Sequence, residues 1–189
     1  KQGDPTAKDG IVGAFCRTYS VEDAIEAFLP DVYIKGENGR YTYKGGSTSG
    51  GLVIYEDGRF AYSHHSTDPT CGKLCNAFDL VRIHMFGKDD EGKPANTAAN
   101  NLPSYKNMCK WIETNCESVM KELQSKQLDY IVQLFGEGDE APDMNWVSQL
   151  EVNPKTGHAA TTVENIRIIV KNDPRFKGTF YWDEFMERP

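Results

Sequence analysis

The stretch that most restricts the fold runs from residue 33 to 63, where short alternating or apolar runs are cut by glycine. Tyr41, Thr42 and Tyr43 alternate between Arg40 and Lys44, and the runs 52–55 and 60–63 flank Glu56-Asp57-Gly58-Arg59. Asp-Gly between two such runs is a hairpin signal, because a tight turn needs left-handed backbone that glycine adopts readily. A small antiparallel sheet follows, with the Gly-Gly-Ser-Thr-Ser-Gly-Gly stretch of residues 45–51 as a turn-rich loop.

Helix signals lie on both sides of this run. Ser20 with Asp23 fits a capping box, followed by Val21, Ala24, Ile25, Phe28 and Leu29 at helical spacing until Pro30. Asn76 stands three residues before Asp79, ahead of Phe78, Leu80, Val81, Ile83, His84 and Met85, with Gly87 as the stop. The first ten residues read as a tail, and residues 88–101 as a loop or boundary. Over residues 102–135 a 3-and-4-spaced face including Tyr105, Met108, Trp111, Ile112, Val119 and Leu123 predicts one kinked helix or two, breaking near Asn115. Residues 136–142 read as an acidic linker and 146–152 as a short helix or strand. Thr161 with Glu164 reads as a third capping box, and residues 179–182 as a strand.

The expected class is therefore α+β: a small antiparallel, zinc-ribbon-like sheet with flanking helices, then a helical segment and a short mixed C-terminal unit. The expected divisions are 1–101, 102–143 and 144–189.

Composition narrows the function. No apolar run approaches the roughly 18 residues of a membrane span, and no leader pattern opens the chain, so a cytoplasmic location without membrane contact is expected. Net charge is −7, and residues 31–88 are nearly neutral, which argues against tight, salt-driven binding of nucleic acid. The five cysteines (Cys16, Cys71, Cys75, Cys109 and Cys116) are odd in number and irregular in spacing, which reads as reduced thiols rather than a disulfide framework. Without a Gly-x-x-x-x-Gly-Lys-Ser/Thr loop, ATP hydrolysis is not expected.

The string Tyr62-Ser-His-His65, then Asp68-Pro69, Gly72-Lys73 and Asn76-Ala-Phe-Asp-Leu-Val-Arg82, resembles the phage and prophage primase–helicase family, the virulence-associated protein E-like proteins. The stretch Gly10-Ile-Val-Gly-Ala-Phe-Cys-Arg-Thr-Tyr19 looks like the same family. The tail from Asn165 through Phe185 is similar to the entry into its helicase-like ATPase. The resemblance implies a piece of a larger DNA replication protein, lying between a primase domain and a helicase-like domain. It implies those two domains and DNA as partners.

His64, His65, Cys71 and Cys75 fall within twelve residues, a donor set that suits zinc. Adjacent histidines in a strand face opposite ways, and no second Cys-x-x-Cys knuckle stands upstream, so a metal-free ribbon-like module is the other reading. Beyond that possible zinc no cofactor is expected. The inward histidine is expected to meet Asp68 or Asp79, while the outward one reaches a phosphate or base edge. Lys44, Arg59, Lys73 and Arg82 are the candidate phosphate contacts, so the candidate DNA-binding set is Lys44, Arg59, His64, His65, Lys73 and Arg82. Tyr41, Tyr43, Tyr55, Phe60 and Tyr62 read as core beneath a helix, or as a stacking surface for single-stranded bases. A non-catalytic accessory or linker module that contacts DNA or positions neighbouring domains is the expected function. The alternatives are a protein–protein scaffold, and a metal-dependent enzyme using Ser63, His64 and His65.

Overall fold

The computed structural model describes residues 2–135, 145–153, 156–173, 176 and 178. They belong to two compact units, Lys1–Leu123 and Gln124–Pro189, each taken by itself below. The fold is α+β, as expected.

In the first unit α1 (Gly10–Thr18) and α2 (Val21–Phe28) precede a five-stranded sheet made of β1 (Tyr33–Lys35), β2 (Tyr41–Tyr43), β3 (Leu52–Tyr55), β4 (Phe60–Ser63) and β5 (Leu74–Cys75). Strand order follows chain order and every pair is antiparallel. Two helices follow, α3 (Ala77–Phe86) and α4 (Pro103–Asn115), and α5 (Glu117–Phe135) begins after a break at Cys116. The break lies one residue from the position the periodicity indicated, and Pro103 opens α4 where its missing N–H costs nothing.

Local chemistry accounts for most boundaries. Ser20 and Asp23 form the reciprocal capping box of α2, and Asn76 caps α3 by accepting from the Asp79 N–H. Helix α1 is not legible in the sequence pattern, because Gly10 and Gly13 lower helix propensity. The structure supplies the reason for Gly13: a Cβ there would collide with the Lys8 carbonyl, which passes against the helix. Arg17 holds that approach, donating to the Thr6 and Lys8 carbonyls while its Nε pairs with Glu122 at 2.6 Å.

Strand register sorts the sheet into two faces. Tyr33, Tyr41, Leu52, Ala61, Ser63 and Cys75 share one, and all are buried with Phe15, Ile25, Phe78, Leu80 and Val81 from the helices. Val53, Tyr55, Tyr62 and Leu74 share the other, where Tyr55 is 45% and Leu74 40% exposed. Helix α4 contributes Met108 and Ile112 to the core, so the first compact unit takes in residues that the sequence divisions set apart at 102. Strand β5 leaves no signal in the sequence, since two residues carry no periodicity.

In the second unit Trp146, Val147 and Leu150 pack with Ala159, Ile168 and Ile169. The final described helix, α6 (Val163–Asn172), is capped by Thr162, one residue after the position the capping pattern indicated. Buried Asn165 replaces missing backbone partners: it accepts from the Glu151 N–H and donates to the Glu151 and Ala160 carbonyls. The 146–152 stretch is a 3-10 turn over Asn145–Gln149, then a bridge between Val152 and Ala159. The linker at 136–142 and the strand at 179–182 lie outside the described residues. No helix among the described residues is long and apolar enough to cross a membrane.

Candidate nucleic-acid interface

The segment after β4 divides by strand alternation, and this decides what each residue can do. Ser63 turns inward and His64 outward; His65 turns inward again and is 2% exposed.

Ser63 belongs to a buried polar cluster centred on Asp68. Its hydroxyl donates to Asp68 Oδ2 at 2.7 Å, and the Tyr33 hydroxyl donates to the same oxygen at 2.8 Å. Asp68 Oδ1 accepts from the Thr70 hydroxyl at 2.6 Å and the Thr70 N–H at 2.8 Å. His84 Nε2 on α3 stands 3.4 Å from Oδ1 and 2.7 Å from the Tyr33 oxygen. Burial alone would raise the Asp68 carboxyl, but the bonds from His84, Thr70 and Ser63 outweigh it and hold the group well below its ordinary 3.8. Desolvation pushes the Tyr33 phenol far up, so this hydroxyl keeps its proton and serves as a donor.

His65 makes a different set of bonds. Its Nε2 accepts from the Gly51 N–H at 3.1 Å and the Tyr43 N–H at 3.2 Å, while Nδ1 lies 2.9 Å from the Thr48 hydroxyl. Two backbone donors at Nε2 leave the proton on Nδ1, donated to Thr48. The ring is thus a fixed post around which the loop of residues 45–51 closes. The expected partners for an inward histidine are corrected accordingly. Asp68 meets His84 rather than His65, and Asp79 is taken by Asn76 and Arg82.

The four donors proposed for zinc are not brought together. His64 faces out, His65 is committed to the glycine loop, and Cys75 packs inward opposite Ala61. Burial first, then the nearby Asp79 charge, pushes the Cys75 thiol up to about 12, away from the thiolate that binds metal. Among the described residues no group of three or more His, Cys, Asp or Glu side chains is placed to hold a metal ion.

The candidate phosphate contacts also separate. Arg82 is 6% exposed: it donates to Asp79 at 3.0 Å and to the Ser104 hydroxyl at 2.6 Å, and lies 3.7 Å from Asp90. It ties α3 to the start of α4 and is withdrawn from any ligand. Replacing it with alanine is expected to cost about 2 kcal/mol in a urea unfolding curve, the scale of one net hydrogen bond to a charged group, because Asp79 and Asp90 keep contact with solvent (24% and 20% exposed) once it is gone. Lys44 reaches the Pro30 carbonyl and Asp31, and Arg59 pairs with Asp4 at 3.0 Å. Lys73 is exposed and touches the Pro69 carbonyl, one residue before Leu74.

What remains open is the outer face of the sheet. Tyr55, Glu56, Phe60, Tyr62, His64 and Leu74 line a depression of about 450 Å³. The Tyr62 and His64 rings lie 4.7 Å apart. The aromatic set therefore splits, with Tyr41 in the core, Phe60 buried where it lines the depression, and Tyr55 and Tyr62 presented outward. No family model, curated protein or solved structure matches this chain.

Sequence reasoning does not reach His84, Tyr33 or Leu74, nor the threonines Thr48 and Thr70 that bond His65 and Asp68. In the sequence His84 is one member of an apolar helical run, yet its spacing four residues after Leu80 puts it on the buried face of α3, where a histidine needs a polar partner. Tyr33 and Leu74 carried no local signal.

Proposed function

We propose that this chain is a non-catalytic accessory module of a phage-type DNA primase–helicase that contacts single-stranded DNA through the outer face of its sheet. The observation that carries the reading is the open depression in which Tyr55, Tyr62 and His64 present rings beside exposed Leu74. Bases of any sequence have a π-face, so outward aromatic rings on an open sheet suit unpaired strands better than a duplex. The family resemblance of the same segment supports the replication setting. A catalytic role for Ser63, His64 and His65 is disfavoured because Ser63 and His65 point inward and are bound to Asp68 and to the glycine loop.

The test is fluorescence anisotropy with labelled single-stranded, forked and duplex DNA at low salt. Single strands are expected to bind best, with a shallow salt dependence, because stacking releases few counterions. Tyr62→Ala should weaken binding by roughly tenfold while leaving the melting curve in place, since stacking on an aromatic side chain is worth about 1–3 kcal/mol per base. Absence of any signal up to roughly 100 μM, the weak end of non-specific binding, would transfer the face to a protein partner and leave the scaffold reading in its place.

A further inference from the structure

We propose that the depression on the outer sheet face selects an unpaired guanine, with the Glu56 carboxylate accepting from the N1–H and exocyclic amino group of the base. This deepens the single-strand reading above and rests on it. The volume of about 450 Å³ lies within the roughly 300–1,000 Å³ common for small-ligand sites. Its walls are the rings of Tyr55, Tyr62 and His64 and the side chain of Leu74, with Glu56 as the acidic group in the lining.

The backbone that carries the exposed Glu56 is set by an unusual turn. Glu56 (φ +50), Asp57 (φ +54) and Gly58 (φ +87) are three successive residues in left-handed backbone, a region two non-glycine residues seldom share. The turn is pinned from outside, because the Gly58 carbonyl accepts the Val21 N–H at 2.7 Å at the start of α2. A Cβ on Gly58 would come within 3.1 Å of the Ser20 Cβ, so the contact is close as well as bonded. The neighbouring cation is already engaged, Arg59 with Asp4 at 3.0 Å, and among the described residues no ion pair or hydrogen bond engages the Glu56 carboxylate.

The chemistry of that carboxylate chooses the base. Two adjacent oxygens match two adjacent donors, and guanine is the DNA base that offers them on its pairing edge. Adenine and cytosine offer one amino group next to a ring-nitrogen lone pair, which faces the second oxygen repulsively. Thymine offers one N–H between two carbonyls. A carboxylate also repels phosphate, which makes this end of the site a reader of base edges.

The test compares short labelled oligothymidylates in which one central thymine is replaced by guanine, hypoxanthine, adenine or cytosine. The guanine oligomer is expected to bind about tenfold more tightly than those with adenine or cytosine, the scale of a bidentate base contact, with hypoxanthine between because it keeps N1–H and lacks the amino group. Glu56→Gln should erase that order, bringing the guanine oligomer to within about twofold of the adenine and cytosine oligomers. Equal binding of all oligomers, with no effect of Glu56→Gln, overturns the guanine inference and leaves the single-strand reading standing. Absence of binding to every oligomer overturns both.

Discussion

Asp68→Ala is expected to remove about 3–5 kcal/mol of stability in urea or thermal unfolding, the range for breaking a buried, hydrogen-bonded charge. The carboxylate accepts from Tyr33, Ser63 and twice from Thr70, and stands against His84, so its loss strands several buried donors at once. Such a loss is a large share of the roughly 5–15 kcal/mol that holds a domain together. The pH dependence has a definite sign. A carboxyl held below its ordinary value contributes stability that is complete above the ordinary range, and that contribution drains away as pH falls from there down through the lowered value. The wild-type chain should therefore lose stability steeply below about pH 4–5, and Asp68→Asn should flatten that acid limb while starting lower at neutral pH. An Asp68→Asn curve parallel to wild type through the acid range would refute the role given to this carboxylate.

The second large effect concerns the post at His65. His65→Ala frees the Gly51 and Tyr43 N–H groups and leaves a void, with an expected cost of about 3 kcal/mol. Gly51→Ala acts on the same contact from the other side. Its Cβ would sit 2.6 Å from His65 Nε2, and the ring cannot retreat without giving up its bonds to Thr48 and Tyr43. Overpacking of this kind costs about 1–3 kcal/mol. The two changes should not add. With the ring gone the alanine has room, so Gly51→Ala in the His65→Ala background is expected to cost less than about 0.5 kcal/mol. Additive costs in that double-mutant cycle would show that the glycine is required for some reason other than the histidine.

How much of this could be read from the sequence depended on the range of the interaction. The hairpin at Asp57 and Gly58, the Ser20 capping box, the Asn76 cap and the break near Asn115 all depend on residues within four positions of one another, and all stand close to where the pattern placed them. The cap of α6 shifted by one, from Thr161 to Thr162, because two adjacent threonines offer the same hydroxyl and only the backbone path chooses between them. Strand alternation also split His64 from His65 correctly, since side chains on an extended chain turn over at every residue.

Partners were another matter. Tyr33, Asp68 and His84 come from β1, the turn after β4 and α3, and the hydrogen-bonded pairs made by Tyr33 are separated by 35 and 51 positions in the chain. Arg82 carried the signal of a helix-face cation, and only the docking of α4 turned it into a buried tie to Ser104 and Asp90. The sequence by itself determined an α+β chain with its hairpin, its caps and the alternating faces of the Ser63–His65 segment, because those obey short-range geometry. Only the tertiary structure decided that His65 is a post for a glycine loop, that Asp68 belongs to His84, and that Tyr55, Tyr62, His64 and Leu74 share one open face with Glu56. Those outcomes are set by strand register and helix packing, which join residues that no local pattern connects.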